Sequence, residues 1–201
     1  MRLREYRVPF FVVAAILTLL FASPALSRLL VYPRTDFFTE MWILAQNGMA
    51  ENYPFEVFRG QSYSVLLGIG NHLGYSAYYL VEVKFRNETQ SSPSGFNRTS
   101  SNLPSLFNIT AFVADEQALE EPLSFSFDYT YNRTLSRVEV QSLTLNDSVS
   151  SVRDSTISSS SSKNVFLGNL FFELWLFNSQ SGRFQYHNRS VGLWLNFTVS
   201  N

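Results

Sequence analysis

Residues 124–131 read SFSFDYTY, and this stretch decides the fold. Its aromatic residues, Phe125, Phe127, Tyr129 and Tyr131, alternate without exception with Ser, Ser, Asp and Thr. Successive side chains of a strand point to opposite faces of a sheet. The alternation therefore predicts a strand with one buried aromatic face and one face in water.

The same period of two appears on both sides of this stretch. Further strands are predicted at residues 37–45, 55–58, 62–69, 77–85, 134–145, 170–177 and 191–199. Residues 170–177, LFFELWLF, are apolar on nearly both faces, which is typical of a central strand. About eight strands separated by turn signals at this spacing favour a mainly β protein, a β-sandwich.

Three segments depart from the strand pattern. Residues 87–105 are rich in Ser, Asn and Pro, and residues 147–164 contain ISSSSSK, so both are predicted to be long loops. Residues Asp115 to Glu121, DEQALEE, favour a short helical turn that Asp115 caps.

Composition limits the class of protein. The 201 residues suffice for one domain with a full core, and 16% of them are aromatic. Cysteine is absent, so disulfides and thiolate metal sites are excluded. Residues 36–201 carry ten Lys or Arg against fifteen Asp or Glu, so no basic surface favours nucleic acid as a partner.

The N-terminal segment predicts one membrane helix. Residues Val8 to Leu26 contain nineteen residues without a charge, which is about the length that spans the hydrocarbon layer. Arg2, Arg4 and Arg7 precede it, and the positive-inside rule places them in the cytoplasm. The alternative is a cleaved signal peptide with an apolar region from 10 to 21 and a small-residue site at 23–25.

These features divide the chain into four parts. We expect a cytoplasmic tip at 1–7, a transmembrane signal anchor at 8–27, a juxtamembrane linker at 28–35 and an extracellular β domain at 36–201. The lipid bilayer around 8–27 is then one partner of the chain.

Seven N-x-[ST] sequons predict N-glycosylation. They begin at Asn87, Asn97, Asn108, Asn132, Asn146, Asn188 and Asn196. Chance alone gives about three in a chain of this composition, so seven is an excess of little more than twofold. Most of them fall in predicted loops or strand ends, where a bulky glycan is accommodated. The alternative is that Asn and Ser are common in turns.

The glycines of residues 51–74 suggest a phosphate-binding loop, but the residues after Gly74 exclude one. Phosphate binding needs a helix directly after the glycines, whereas Gly74 is followed by the strand pattern YSAYYLVEVKF. Gly60 is predicted to allow a tight reversal, and Gly68 and Gly70 to lie on the face opposite Leu67 and Ile69.

Several motifs resemble the archaeal family catalogued as domain of unknown function 1616. They are FTE at 38–40, AENYP at 50–54, Gly60 followed by LGIGNH at 67–72, FFELWLFN at 171–178 and LWLNFTV at 193–199. The resemblance covers about residues 24–201 and implies an archaeal membrane protein with an exported, immunoglobulin-like β domain. The family has no assigned activity. Its members often carry several membrane helices, whereas this chain has one apolar segment.

No residue pattern indicates catalysis, a cofactor or a metal. His72 and His187 lie in unrelated turns, too few for a zinc site without cysteine. The acidic residues Asp115, Glu116, Glu120 and Glu121 lack the spacing of a calcium loop. No serine lies in a G-x-S-x-G motif, although a Ser-His-Asp arrangement is not excluded by chain order.

The sequence therefore predicts a non-enzymatic, glycosylated cell-surface protein with a structural or interaction role. Segments 36–86 and 111–131 contain no sequon, so we expect other membrane or surface proteins to bind there. Trp194 should point outward on the face of Asn196, and Trp175 should occupy the second face of the central strand.

Two alternatives remain. The chain is an accessory subunit of a larger integral membrane enzyme, with Ala14, Ala15 and Ala22 facing neighbouring helices. Otherwise it is an envelope carbohydrate-binding module or hydrolase, which requires a concave patch with Trp194 or tyrosines and, for hydrolysis, paired carboxylates.

Overall fold

The computed structural model describes residues 7–29, 36–153, 155–159 and 165–199. The chain divides into two compact units, residues 1–36 and 37–201. The first unit contains one helix, α1, from Arg7 to Leu29, where the uncharged segment predicts a helix over 8–27.

The apolar side chains of α1 are exposed from Val8 to Phe21. Within the part of the chain that the structure describes, no helix combines the length and the apolar character that a bilayer crossing demands.

The second unit consists of eleven strands in the described ranges. They are β1 Phe38–Ala45, β2 Glu56–Val57, β3 Tyr63–His72, β4 Ala77–Asn87, β5 Phe107–Val113, β6 Gln117–Asn132, β7 Arg137–Leu145, β8 Ser148–Ser151, β9 Thr156–Ser158, β10 Leu167–Asn178 and β11 Arg183–Phe197. The prediction of a mainly β protein is confirmed.

The strands form two sheets. Sheet A has the order β1-β3-β6-β7-β8, with β9 also paired to β7, and sheet B has the order β2-β11-β10-β4-β5. All pairs are antiparallel except β2 with β11. β10 is central in sheet B, as its two apolar faces predict, and is hydrogen-bonded to β11 on one side and to β4 on the other.

One hydrophobic core joins the two sheets. Phe125, Phe127 and Tyr129 of β6 are buried, as the opening alternation predicts. The ring of Phe127 lies 5.3 Å from that of Phe85 in sheet B and 5.2 Å from that of Phe197. The Tyr129 hydroxyl also donates to the backbone oxygens of Val57 (3.0 Å) and Thr198 (2.7 Å). Aromatic contacts therefore hold the sheets together without disulfides.

The glycines of β3 have a packing role. Gly68 and Gly70 lie on the outer face of sheet A, and a Cβ at Gly68 would overlap the indole ring of Trp42. Trp42 is the register partner of Gly68 across the β1–β3 pair. Gly60 and Gly74 have φ angles of 71° and 82°, so both occupy turns that suit glycine.

Two predictions about local structure are wrong, and one strand was missed. Residues 115–121 form no helical turn, because Gln117 begins β6 and pairs with Asn71. Neighbouring strand β3 supplies the backbone partners, and this overrides the local helix preference. The predicted loop 147–164 contains β8 and β9, and β5 was not predicted at all.

Candidate functional site

The structure separates the seven sequon asparagines by accessibility. Exposed asparagines are Asn97, Asn108, Asn132 and Asn146, and partly buried ones are Asn87, Asn188 and Asn196. Asn108 and Asn146 accept hydrogen bonds from Ser105 Oγ and Ser124 N, both at 2.8 Å. Both bonds use the side-chain oxygen and not the nitrogen to which a glycan is joined.

The partly buried asparagines are built into the fold. Asn87 Nδ2 donates to Thr156 O at 3.0 Å, and Asn196 Oδ1 accepts from Phe166 N at 3.0 Å. Asn188 has φ 56° at an irregularity in the β10–β11 pairing, and its Oδ1 is buried without a hydrogen-bond partner. These three sites therefore offer less room for a glycan than the four exposed ones.

The part of the outer face of sheet A formed by β1, β3 and residues 117–125 of β6 is partly apolar and contains no sequon, whereas Asn132 lies further along β6. Trp42, Leu44 and Leu66 on this face are half-buried, whereas Ala118 and Pro122 are exposed. The strand registers place all five side chains on the same side of sheet A. We call this surface the Trp42 face. Trp42 Nε1 donates to Glu120 Oε1 at 3.3 Å, which holds the indole flat over the glycines.

Sheet B carries a groove of about 370 Å³ beside the β10–β11 hairpin. It is lined by Tyr75, Leu176, Phe177, Asn178, Ser179, Gln180, Gln185, Tyr186 and His187. Aromatic rings and amides are thus presented together, and the lining contains no carboxylate. The Trp175 ring packs against Tyr186 at 5.6 Å, so Trp175 supports the hairpin next to the groove.

A buried polar network lies behind the groove. His187 Nε2 and Thr39 Oγ1 are 2.9 Å apart, and Tyr79 OH lies 3.1 Å from the same Thr39 oxygen. The Tyr79 hydroxyl also donates to Asn71 Oδ1 at 3.0 Å, and Asn71 Nδ2 donates to Val113 O at 3.0 Å. The network therefore connects both sheets at the end where β1 begins.

Burial shifts the pKa values of groups in this region. Burial lowers the pKa of His187 below its ordinary value, and the Arg189 charge lowers it further. The pKa values of Tyr79 and Tyr186 are raised, mainly by burial. The neutral forms of all three side chains are favoured, which suits hydrogen bonding more than proton transfer.

The two histidines are not brought together. His72 Nδ1 lies 3.0 Å from Glu116 Oε2, and its ring stacks on Phe38 at 4.6 Å. Among the side chains that the structure describes, no three His, Cys, Asp or Glu residues are close enough to bind one metal ion. Asp115 accepts from Gly74 N at 2.9 Å and thereby fixes a turn.

A second polar cluster is buried under the loop 88–106. Lys84 Nζ lies 2.7 Å from Glu173 Oε2 and 2.9 Å from Glu82 Oε2. The loop contributes Ser101. Its backbone N–H donates to Glu173 Oε1 at 2.6 Å, and its backbone oxygen accepts from Lys84 Nζ at 3.1 Å. This cluster fixes the loop to sheet B.

Trp194 points outward, as predicted, and is 41% exposed. The Arg86 guanidinium lies 4.7 Å from the centre of its ring, so a cation already covers this indole. Trp194 does not line the groove beside the β10–β11 hairpin.

These features define a mainly β protein with two sheets, a shared aromatic core and a groove beside the β10–β11 hairpin. A family model described as a domain of unknown function (DUF1616) matches residues 33–164, which is more than half of the chain. The chain therefore belongs to the family of domain of unknown function 1616.

Other comparisons add little about activity. No curated protein sequence matches the chain. Two crystal structures of a β-glucosidase from Listeria innocua, in complex with glucose and with gluconolactone, resemble it with TM-scores of 0.38 and 0.37 and 9% identity. The match covers 83% of this chain, which spans only 17% of the β-glucosidase chains.

Proposed function

We propose that the protein is a membrane-anchored, glycosylated surface protein that binds a protein partner through the Trp42 face and has no catalytic activity of its own. The observation that carries this proposal is the uneven distribution of sequons. The Trp42 face lies entirely within segments 36–86 and 111–131, which contain none. Asn108 and Asn196 belong to strands of sheet B, and Asn97 to the loop over it. On sheet A, Asn132 ends β6 and Asn146 lies in the turn between β7 and β8, so both are outside the Trp42 face.

The strand order supports an immunoglobulin-like sandwich as the fold of the exported part. β1, β3 and β6 are neighbours in one sheet, and β4, β10 and β11 are neighbours in the other. Immunoglobulin-type folds place their A, B and E strands in one sheet and their C, F and G strands in the second. Such modules commonly act as binding scaffolds, although function has to be argued from the surface.

The anchoring part of the proposal rests on sequence and on exposure. The segment from Val8 to Leu26 has no charge, and α1 exposes apolar side chains on every side. With Arg2, Arg4 and Arg7 on the cytoplasmic side, residues 36–201 lie outside the cell, where glycosylation takes place.

Glycopeptide mapping of the native protein tests export. We expect glycans at Asn97, Asn108, Asn132 and Asn146, with lower occupancy at the three partly buried asparagines. A protein without glycans at the four exposed sites would contradict the proposal.

Site-specific crosslinking tests the binding face. A photoreactive amino acid in place of Glu120 should crosslink the chain to one protein in native membranes, whereas the same group in place of Val149 should not. The crosslink should disappear with Leu66→Glu, which adds a charge to the face, while the melting temperature changes little. Equal crosslinking from both positions would count against a specific face.

The groove supports a second candidate function, binding of an envelope carbohydrate. Tyr75 and Phe177 offer rings for stacking on a sugar, and Gln180 and Gln185 offer amides for its hydroxyl groups. A Gln185→Ala variant should then lose binding on a glycan array that the Trp42→Ala variant retains. Absence of binding by the unmodified chain would remove this candidate.

A further inference from the structure

Five exposed aromatic side chains gather where the chain enters the β unit. They are Phe37, Tyr75, Tyr78, Phe112 and Phe177, which we call the aromatic pole. Their exposed fractions range from 38% for Phe177 to 70% for Phe112. Large apolar side chains in one exposed group indicate a contact surface.

Direct contacts and strand register bring these residues together. The Tyr78 ring lies 6.1 Å from Phe177 and 5.4 Å from Phe184, and Phe177 lies 5.3 Å from Phe184. Phe112 is the register partner of Tyr78 in the β4–β5 pair, so both point outward from sheet B.

The other two members join through the turn after β3. A Cβ at Gly74 would lie 2.7 Å from the Phe37 ring, so this ring covers the glycine. The next residue, Tyr75, lines the groove together with Phe177. The aromatic pole is thus one connected surface that combines residues of β4, β5 and β10, the turn after β3 and the residue before β1.

The position of the pole along the chain suggests what covers it. Phe37 follows directly on Asp36, and only residues 30–35 separate Asp36 from the end of α1 at Leu29. Six residues reach at most about 22 Å. Few residues of chain therefore separate Phe37 of the pole from the segment that we propose as the membrane anchor.

The chemistry of the pole fits the boundary between lipid and water. Aromatic rings are enriched at that boundary, where tyrosine keeps its hydroxyl in water while its ring contacts lipid. The nearest exposed sequon on the same strand, Asn108, is four residues from Phe112, or about 13 Å away. None of the five residues of the pole is itself a sequon asparagine.

We propose that the aromatic pole docks into the headgroup region of the membrane that holds α1. This inference rests on the proposed anchoring. It leaves the Trp42 face, on the other sheet, directed at a protein partner. Because the contact is made by uncharged side chains, it should not depend on ionic strength.

Single spin labels test the proposal, and the absence of native cysteine makes each label unique. We would place a nitroxide at Phe112→Cys, at the control Val149→Cys and at Ile16→Cys in α1. The full chain is reconstituted in nanodiscs of phosphatidylcholine. Collision with oxygen, which concentrates in lipid, is compared with collision with a nickel chelate, which stays in water.

We expect the label at position 112 to collide mainly with oxygen and the label at 149 mainly with the nickel chelate, at both 0.1 and about 0.5 M salt. Melting temperatures close to that of the unmodified chain show that the variants are folded. A repeat with Tyr75→Cys guards against a local effect of one substitution.

Three results would overturn the proposal. If position 16 is in lipid while 112 and 75 are as aqueous as 149, the docking fails and the anchor stands. If position 16 is aqueous as well, the anchoring on which docking rests fails. If position 112 is shielded from both reagents in native membranes but aqueous in nanodiscs, a protein covers the pole.

Discussion

At the residue scale, Gly68 shows how a small residue sets the surface of sheet A. Trp42 lies flat on Gly68 because no Cβ intervenes. A Gly68→Ala variant must displace the indole, and we expect a loss of about 1–3 kcal/mol in the free energy of unfolding. Thermal unfolding of the full chain in detergent micelles measures this change.

The control for this prediction is Gly95→Ala, because nothing lies within 4 Å of a Cβ at Gly95. It should leave stability nearly unchanged. In a double-mutant cycle, Gly68→Ala should cost much less when Trp42 is already alanine. Equal costs in both backgrounds would mean that the indole does not set the requirement for glycine.

His187 gives the protein a specific pH dependence. Its pKa in the folded chain lies below the ordinary value of 6.5, so the unfolded chain takes up a proton first as pH falls. Its contribution to stability is complete above about pH 6.5 and is lost as pH decreases towards the folded pKa. The melting temperature should therefore fall between pH 7.5 and 5.5, and this slope should diminish in His187→Gln.

The matched control for loss of an imidazole is His72→Gln, which should keep most of the slope. His72 lies beside Glu40 and Glu116 and not in the buried network. If the pH slope of the melting temperature is unchanged in His187→Gln but absent in His72→Gln, His72 causes the pH dependence and the prediction for His187 is wrong.

At the scale of elements, the buried Lys84–Glu173 pair holds loop 88–106 on sheet B. Lys84→Met leaves Glu173 buried without its cation, which typically costs about 3–5 kcal/mol. For a domain of this size the melting temperature should fall by about 6–20 °C. Combining Lys84→Met with Glu173→Leu should restore most of that loss, because the fully buried carboxylate is removed together with its cation, while the Glu82 side chain that remains is 22% exposed.

Proteolysis distinguishes the loop from the rest of the fold. Cleavage within 88–106 should become faster in Lys84→Met than in the unmodified chain, and more so than cleavage elsewhere. If the variant with both Lys84→Met and Glu173→Leu is as unstable as Lys84→Met alone, the instability does not come from the unpaired charge of Glu173.

The elements that could be predicted are those with strong internal periodicity. Residues 124–131 and 170–177 each had enough alternating or continuous apolar residues to fix their strands. By contrast, residues 115–121 are locally helix-forming, and only the pairing with β3 makes them a strand. Short strands β8 and β9 depend on β7 as a template, which a local pattern does not contain.

The polar networks were missed for a related reason. Asn71 and Glu173 are polar residues next to long apolar runs of β3 and β10, and this was the available signal that they are buried with partners. Asn71 donates to Val113 O, 42 residues away in the sequence, and Glu173 accepts from Lys84, 89 residues away, so only the tertiary structure reveals these partners. The groove likewise depends on how Tyr75 meets the β10–β11 hairpin.

At the scale of the whole molecule, the β unit should fold without α1. Every residue of its hydrophobic core, including the partly buried ones packed against it, lies between Met41 and Val199. A fragment of residues 36–201 should therefore melt within about 2 °C of the full chain, with a β-type circular dichroism spectrum. A fragment that remains unfolded would show that the N-terminal unit contributes to the core.

The pairing of β2 with β11 has a consequence for biogenesis. β11 lies between β2 and β10 in sheet B, so β2 has no partner until the last strand has emerged. If the chain is exported from its N-terminus, as we propose, it leaves the cytoplasm with its second sheet incomplete. Asn87 is then open to modifying enzymes until Thr156, whose backbone oxygen accepts from it, and β10 have followed, so sugar found there would be a record of events that preceded closure.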